Sequence, residues 1–103
     1  MSENRWSDAG PAPTRAERRP LVKRGHVLKA QLAVGRAGLT EAFLRQVRSA
    51  FSNTDLLKVR LEADKADESD SLALELADRV PCHLVQRVGR VALLYRKQAE
   101  RSE

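Results

Sequence analysis

The sequence predicts an α+β domain, a two-layer sandwich with helices packed on a mixed four-stranded sheet, on three observations. Leu57, Val59 and Leu61 alternate with Lys58, Arg60 and Glu62, the two-residue period of a half-buried strand. Apolar residues recur at helical spacing twice, through Phe43, Leu44, Val47, Ala50 and Phe51, and through Leu72, Ala73, Leu76, Ala77 and Val80. Two apolar runs then flank Gly89-Arg90, the pattern of a hairpin. Strand–helix–strand units make parallel neighbours and a hairpin makes antiparallel ones, so a sheet holding both is mixed. The expected order is an N-terminal helix followed by β-α-β-α-β-β.

Taken in order, residues 1–13 carry Gly10, Pro11 and Pro13 among small and polar side chains and read as a disordered tail, with the only tryptophan, Trp6, inside it. Thr14 caps a helix over 14–23 that Pro20 interrupts, because an interior proline costs about 3 kcal/mol. Val27–Val34 reads as a buried strand ending in the turn Gly35-Arg36-Ala37-Gly38. Thr40 is the N-cap of the next helix, Glu41 favours its positive end, and Arg45 and Arg48 lie opposite its apolar face. After the strand at 57–61 comes a polar, acidic run, Asp64 to Asp70, and then a helix that Pro81 stops. Glycine first in the loop Gly89-Arg90 suits a type II′ turn between the last two strands. Residues 98–103 read as a frayed end, which leaves one domain over 14–97 and no internal repeat.

Composition narrows the function. The 103 residues include 42% hydrophobic side chains, enough for a core. One cysteine allows neither an intramolecular disulfide nor a cysteine-only zinc site. No apolar run approaches the roughly 20 residues of a membrane span, and MSENRWSDAG lacks the apolar stretch of a secretory signal. A soluble cytoplasmic protein without membrane contact is the expectation. Catalysis is not expected either. His26 and His83 are the only histidines, and Cys82 and His83, as strand neighbours, point to opposite faces. The cluster Asp64, Asp67, Glu68 and Asp70 lacks the glycine and terminal glutamate of a calcium loop. No phosphate-loop or dinucleotide fingerprint is present. No cofactor, metal or small-molecule substrate is therefore expected.

Charge placement says more. The chain holds 19 Lys+Arg against 14 Asp+Glu, a net +5. Residues 1–36 have eight basic and three acidic side chains, residues 55–78 three basic and eight acidic, and residues 79–103 six basic and two acidic. Basic ends around an acidic middle suit a molecule that turns one face to an anion. Gly35-Arg36-Ala37-Gly38 lies directly before a helix. Glycines bring bare backbone close to a phosphodiester, the helix start offers free amides, and Arg36 adds charge. Lys23, Arg24 and Lys29 precede this turn, and Arg45 and Arg48 follow it.

The stretches LKAQLAVGRAGLTEAFLRQV, LLKVRLE and VQRVGRVALLYRK resemble the CRM (chloroplast RNA splicing and ribosome maturation) domain in its stand-alone bacterial, YhbY-like form, over about Lys23 to Lys97. The resemblance implies a fold similar to the C-terminal domain of the third bacterial translation initiation factor. It also implies RNA binding, with ribosomal RNA of large-subunit precursors as the partner of the bacterial members. The family's RNA-contacting loop falls on Gly35, Arg36, Ala37 and Gly38, and its basic surface on Lys23, Arg24 and Lys29. Arg45 and Arg48 are added from helical geometry. Tyr95 and Arg96 match the closing motif, with Tyr95 a sheet residue rather than a stacking platform. Pro20 departs from the family's well-formed first helix, leaving Arg15, Arg18 and Arg19 on either a rigid helix or a flexible arm. The expectation is a monomeric, non-catalytic RNA-binding protein of large-subunit assembly. The alternative is a protein-interaction adaptor using the acidic face around residues 64–78.

Overall fold

A computed structural model describes residues 12–63 and 65–96. The expectations for residues 1–11, Trp6 among them, for Asp64 and for 97–103 lie outside the described residues. Pro13 is buried at the foot of the first helix.

Helix α1 runs from Arg15 to Val27. Thr14 Oγ1 accepts from the Glu17 amide at 3.1 Å, and the Thr14 amide donates to Glu17 Oε1 at 2.9 Å, so the capping pair satisfies two donors at the helix start. Pro20 sits inside this helix without ending it. The amide it lacks would have bonded the Ala16 carbonyl, and Ala16 is exposed, so water can serve that oxygen. Burial of Leu21 and Gly25 against the sheet holds the later turns. Arg15, Arg18 and Arg19 are thus exposed on a helix and not on an arm.

Strand β1 is only Leu32–Ala33, a correction to the expected strand over Val27–Val34. Helix α1 takes the first residue of that span, and the Leu28 amide turns back to the Gly25 carbonyl at 3.2 Å. Lys58 Nζ then donates to the Gly25 and Leu28 carbonyls, at 2.8 and 3.0 Å. A strand residue thereby closes the end of the helix, where carbonyls lack intrahelical partners. Val27 itself is 84% exposed, so its apolar character marks no buried strand.

Helix α2 spans Glu41–Ala50, with the expected Thr40 cap accepting from the Phe43 amide at 3.1 Å. Strand β2 is Leu56–Arg60. Helix α3 begins at Ala66, earlier than its apolar pattern does, because Asp67 and Glu68 in the first turn suit its positive end. It ends at Arg79, before the cis Val80–Pro81 peptide. Strands β3 (His83–Val88) and β4 (Val91–Tyr95) form the hairpin. Gly89 has φ +60° while Arg90 keeps a negative φ, the type II′ pattern.

The sheet order is β1-β2-β4-β3, with β1 parallel to β2 and the other pairs antiparallel. The α+β class and the mixed sheet are as expected. Helices α2 and α3 cover one face, burying Phe43, Leu44, Val47, Leu76 and Ala77 against Leu57, Val59, Ala92 and Leu94. Alternate residues of the same strands point the other way. Leu56, Val85 and Leu93 meet Leu21, with Val22, Leu28 and Tyr95 at the margin. Helix α1 therefore adds a third, partial layer to the two expected. The β3–β4 ladder slips by one residue between Leu84 and Gln86, leaving Val85 as a bulge.

Candidate nucleic-acid interface

The turn Gly35-Arg36-Ala37-Gly38 lies between β1 and α2. The Gly38 amide donates to the Gly35 carbonyl at 3.0 Å, and Arg36 and Ala37 keep negative φ, the type I pattern. Such a turn bonds only its fourth amide, and the Arg36 and Ala37 amides have no backbone partner among the described residues. Gly38 has φ +79°, a conformation that other residues rarely adopt. Gly35 is different. Its φ is not positive, and a Cβ added there would meet nothing within 4 Å. Neither strain nor crowding requires glycine at position 35, and its effect is to leave backbone bare beside the exposed Arg36 side chain.

Register then brings basic groups to this turn that are remote in sequence. Ala33 pairs with Arg60, and the Val34 amide donates to the Arg60 carbonyl at 2.9 Å. The Leu61 amide in turn donates to the Arg90 carbonyl at 2.6 Å. Arg60, Arg90, Leu61, Glu62, Ala63 and Val91 line a cleft of about 440 Å³. From the other side, Arg79 Nη1 donates to the Leu39 carbonyl at 3.4 Å, and Arg79 Nη2 lies 3.9 Å from the Glu41 carboxylate. That contact offsets the negative charge Glu41 places beside the loop. Sequence reading missed Arg60, Arg79 and Arg90 as members of this group. Their only signal is ladder register and the crossing of helix ends, which no local pattern encodes.

The expected site residues separate into groups. Gly35, Arg36, Ala37 and Gly38 form the turn, and Lys23, Lys29 and Arg45 are exposed. Arg24 instead pairs with Asp55, Nη2 to Oδ1 at 2.6 Å, and that hydrogen bond raises the guanidinium pKa. Arg48 is not on an open face. It is half-buried, with Nε donating to the Val80 carbonyl at 2.8 Å and Nη2 to the Arg79 carbonyl at 3.0 Å. It closes the end of α3, a structural task at a helix terminus.

Tyr95 packs at the margin of the α1-side cluster, its phenol pKa raised first by burial and then by Asp55. Cys82 is fully buried, and desolvation pushes its thiol up to about 12, far from a nucleophile at neutral pH. Among the described residues no three His, Cys, Asp or Glu side chains are grouped to hold a metal, and no helix is long and apolar enough to cross a membrane. Part of the acidic run is neutralised within the fold, as Asp70 pairs with Arg87 at 3.1 Å and Glu75 with Arg79 at 3.5 Å.

A family model described as the CRS1 / YhbY (CRM) domain matches residues 14–96, from the cap of α1 to the residue after β4. "Probable RNA-binding protein PA4753" of Pseudomonas aeruginosa is 36% identical over 86 residues, spanning 84% of this chain and 83% of its own length. "Probable RNA-binding protein YqeI" of Bacillus subtilis is 24% identical over 90 residues, spanning 87% of this chain and 94% of its own length. The solution structure of SAV1595 from Staphylococcus aureus aligns with a TM-score of 0.76 at 25% identity, covering 88% of this chain and 95% of that one. The family model spans most of the chain, a solved relative shares its fold, and the chain belongs to the CRS1 / YhbY (CRM) domain family.

Proposed function

We propose that the chain is a non-catalytic RNA-binding protein that acts as a monomer in the cytoplasm, docking on ribosomal RNA of large-subunit precursors. The observation that carries the reading is the bare turn at Gly35, a glycine the fold does not need, set among Arg36, Arg60, Arg79 and Arg90. The names of two relatives agree with RNA as the partner. Phosphates of a structured RNA would approach the Arg36 and Ala37 amides and the start of α2, with the Arg36 and Arg60 guanidiniums supplying charge. Lys23, Lys29 and Arg45 extend the field. If Arg36 and Arg60 each neutralise one phosphate, log affinity falls against log salt with a slope of about −1.5.

The test is a sucrose-gradient profile of tagged protein at low and high salt, beside the Arg36→Asp/Ala37→Asp variant and Gly35→Ala. Co-migration of the wild type with large subunits or their precursors is expected, weakened by salt and lost in the double variant at unchanged unfolding midpoint. Gly35→Ala is expected to fold as stably as wild type and to bind more weakly. A wild-type protein that stays at the top of the gradient at low salt overturns ribosomal docking. Salt-insensitive binding to purified ribosomal RNA overturns the phosphate mechanism.

A further inference from the structure

Helix α1 covers only part of its face of the sheet. Beyond its last turn an open slot of about 250 Å³ remains, lined by Gly25, His26, Lys58, Gln86, Val88, Val91 and Leu93. Its floor is largely apolar. Gly25 lies so close to the sheet that a Cβ there would stand 2.7 Å from a Leu93 methyl, so helix backbone borders the slot at that point. Val88 is 64% exposed although it pairs with Val91 in the ladder, an apolar surface that the fold leaves uncovered. The rim is polar. The Gln86 amide and the His26 imidazole have no partner among the described residues, and Lys58 is held in place by its two bonds to the end of α1.

We infer that this slot takes an unpaired nucleobase of the bound RNA, an inference that rests on the RNA-binding reading above. Charge and continuity select this occupant. Val91 lines both the slot and the Arg60–Arg90 cleft, which in turn adjoins the glycine turn through the Arg60 carbonyl. A ribose-phosphate chain leaving the turn would pass the Arg60 and Arg90 side chains, with Glu62 in the same cleft, and so reach the slot. An apolar floor suits the face of a base, an imidazole at the rim can stack on it, and an amide supplies both a donor and an acceptor for its edge. The valines and His26 do the work that tryptophan or phenylalanine platforms do elsewhere, in a chain with 4% aromatic residues.

The experiment is a methyl and amide NMR titration of the full chain with three probes: an oligouridylate, an oligoadenylate, and a ribose-phosphate chain of the same length without bases. Shifts at the Gly35–Gly38 amides are expected with all three. Shifts at the Val88, Val91 and Leu93 methyls and the Gln86 side-chain amide are expected only with the two base-bearing probes. Val88→Asn, which leaves the charge unchanged at an exposed position, is expected to weaken oligonucleotide binding by about tenfold and the baseless chain hardly at all. Gln86→Ala is expected to narrow the difference between uridylate and adenylate.

Loop shifts without slot shifts, or equal slot shifts with the baseless chain, overturn the inference and leave the RNA-binding reading standing. Absence of any response to RNA overturns both. Slot shifts that grow with protein concentration in the absence of RNA assign the surface to a second copy and overturn the inference.

Discussion

The two faces of the sheet are built from the same strands and finished differently. On one face, α2 and α3 close over Leu57, Val59, Ala92 and Leu94, each at most 1% exposed. On the other, a single helix covers Leu56, Val85 and Leu93 and stops short of Val88. The first face is a continuous apolar core, and Arg48 and Arg79 tie its two helix ends together. The second mixes apolar residues with Lys58 and Arg60 and leaves a slot. Alternation along a strand lets one set of residues provide stability while their neighbours remain available for a ligand.

The sharpest way to break this contrast is to remove equal side chains from both faces. Leu76→Ala empties a site on the closed face at 0% exposure, and a loss of about 3 kcal/mol is expected in chemical denaturation. Leu21→Ala, at 6% exposure under α1, is expected to cost about 2 kcal/mol. Equal losses would mean that α1 is as integral to the core as α3. Gly25→Val tests the close approach of α1, since side-chain atoms would enter space held by Leu93. A loss of about 2 kcal/mol is expected by calorimetry, and an unchanged melting temperature would show that the helix can lift from the sheet freely.

The smallest effect has the opposite sign. Ser69 is 1% exposed on α3, and its Oγ finds no partner among the described residues. Ser69→Ala removes a desolvated hydroxyl and improves helix propensity, so a gain of about 1 kcal/mol is expected. A loss would reveal a hydrogen bond that the hydroxyl makes in solution.

Most of the closed face was legible because its signals are local. The 3.6-residue period of α2 and α3, the Thr40 cap and the Gly89 turn each need only a few neighbouring residues to declare themselves. The α1 face was read less well for the same reason. Val27–Val34 looks apolar enough for a strand, but Lys58, thirty residues away from Leu28, fixes where the helix ends. Pro20 argued against a continuous helix, yet one lost hydrogen bond at an exposed turn weighs less than Leu21 and Gly25 packed on the sheet. At the candidate site the glycine turn was visible as a string of letters, whereas Arg60 and Arg90 join it through backbone bonds between strands. Arg48 shows the converse: helical spacing placed it outward, and the carbonyls at the end of α3 draw it in.

The borders of the sheet have a consequence for how molecules of this protein meet one another. At one border β1 offers two residues, and at the other β3 carries its extra residue at Val85. A foreign strand seeking to extend the sheet finds too few amides on one side and a kinked ladder on the other. Templated growth into fibrils is discouraged at both ends. A small basic protein can therefore gather densely along a polyanion without its own sheets seeding aggregation.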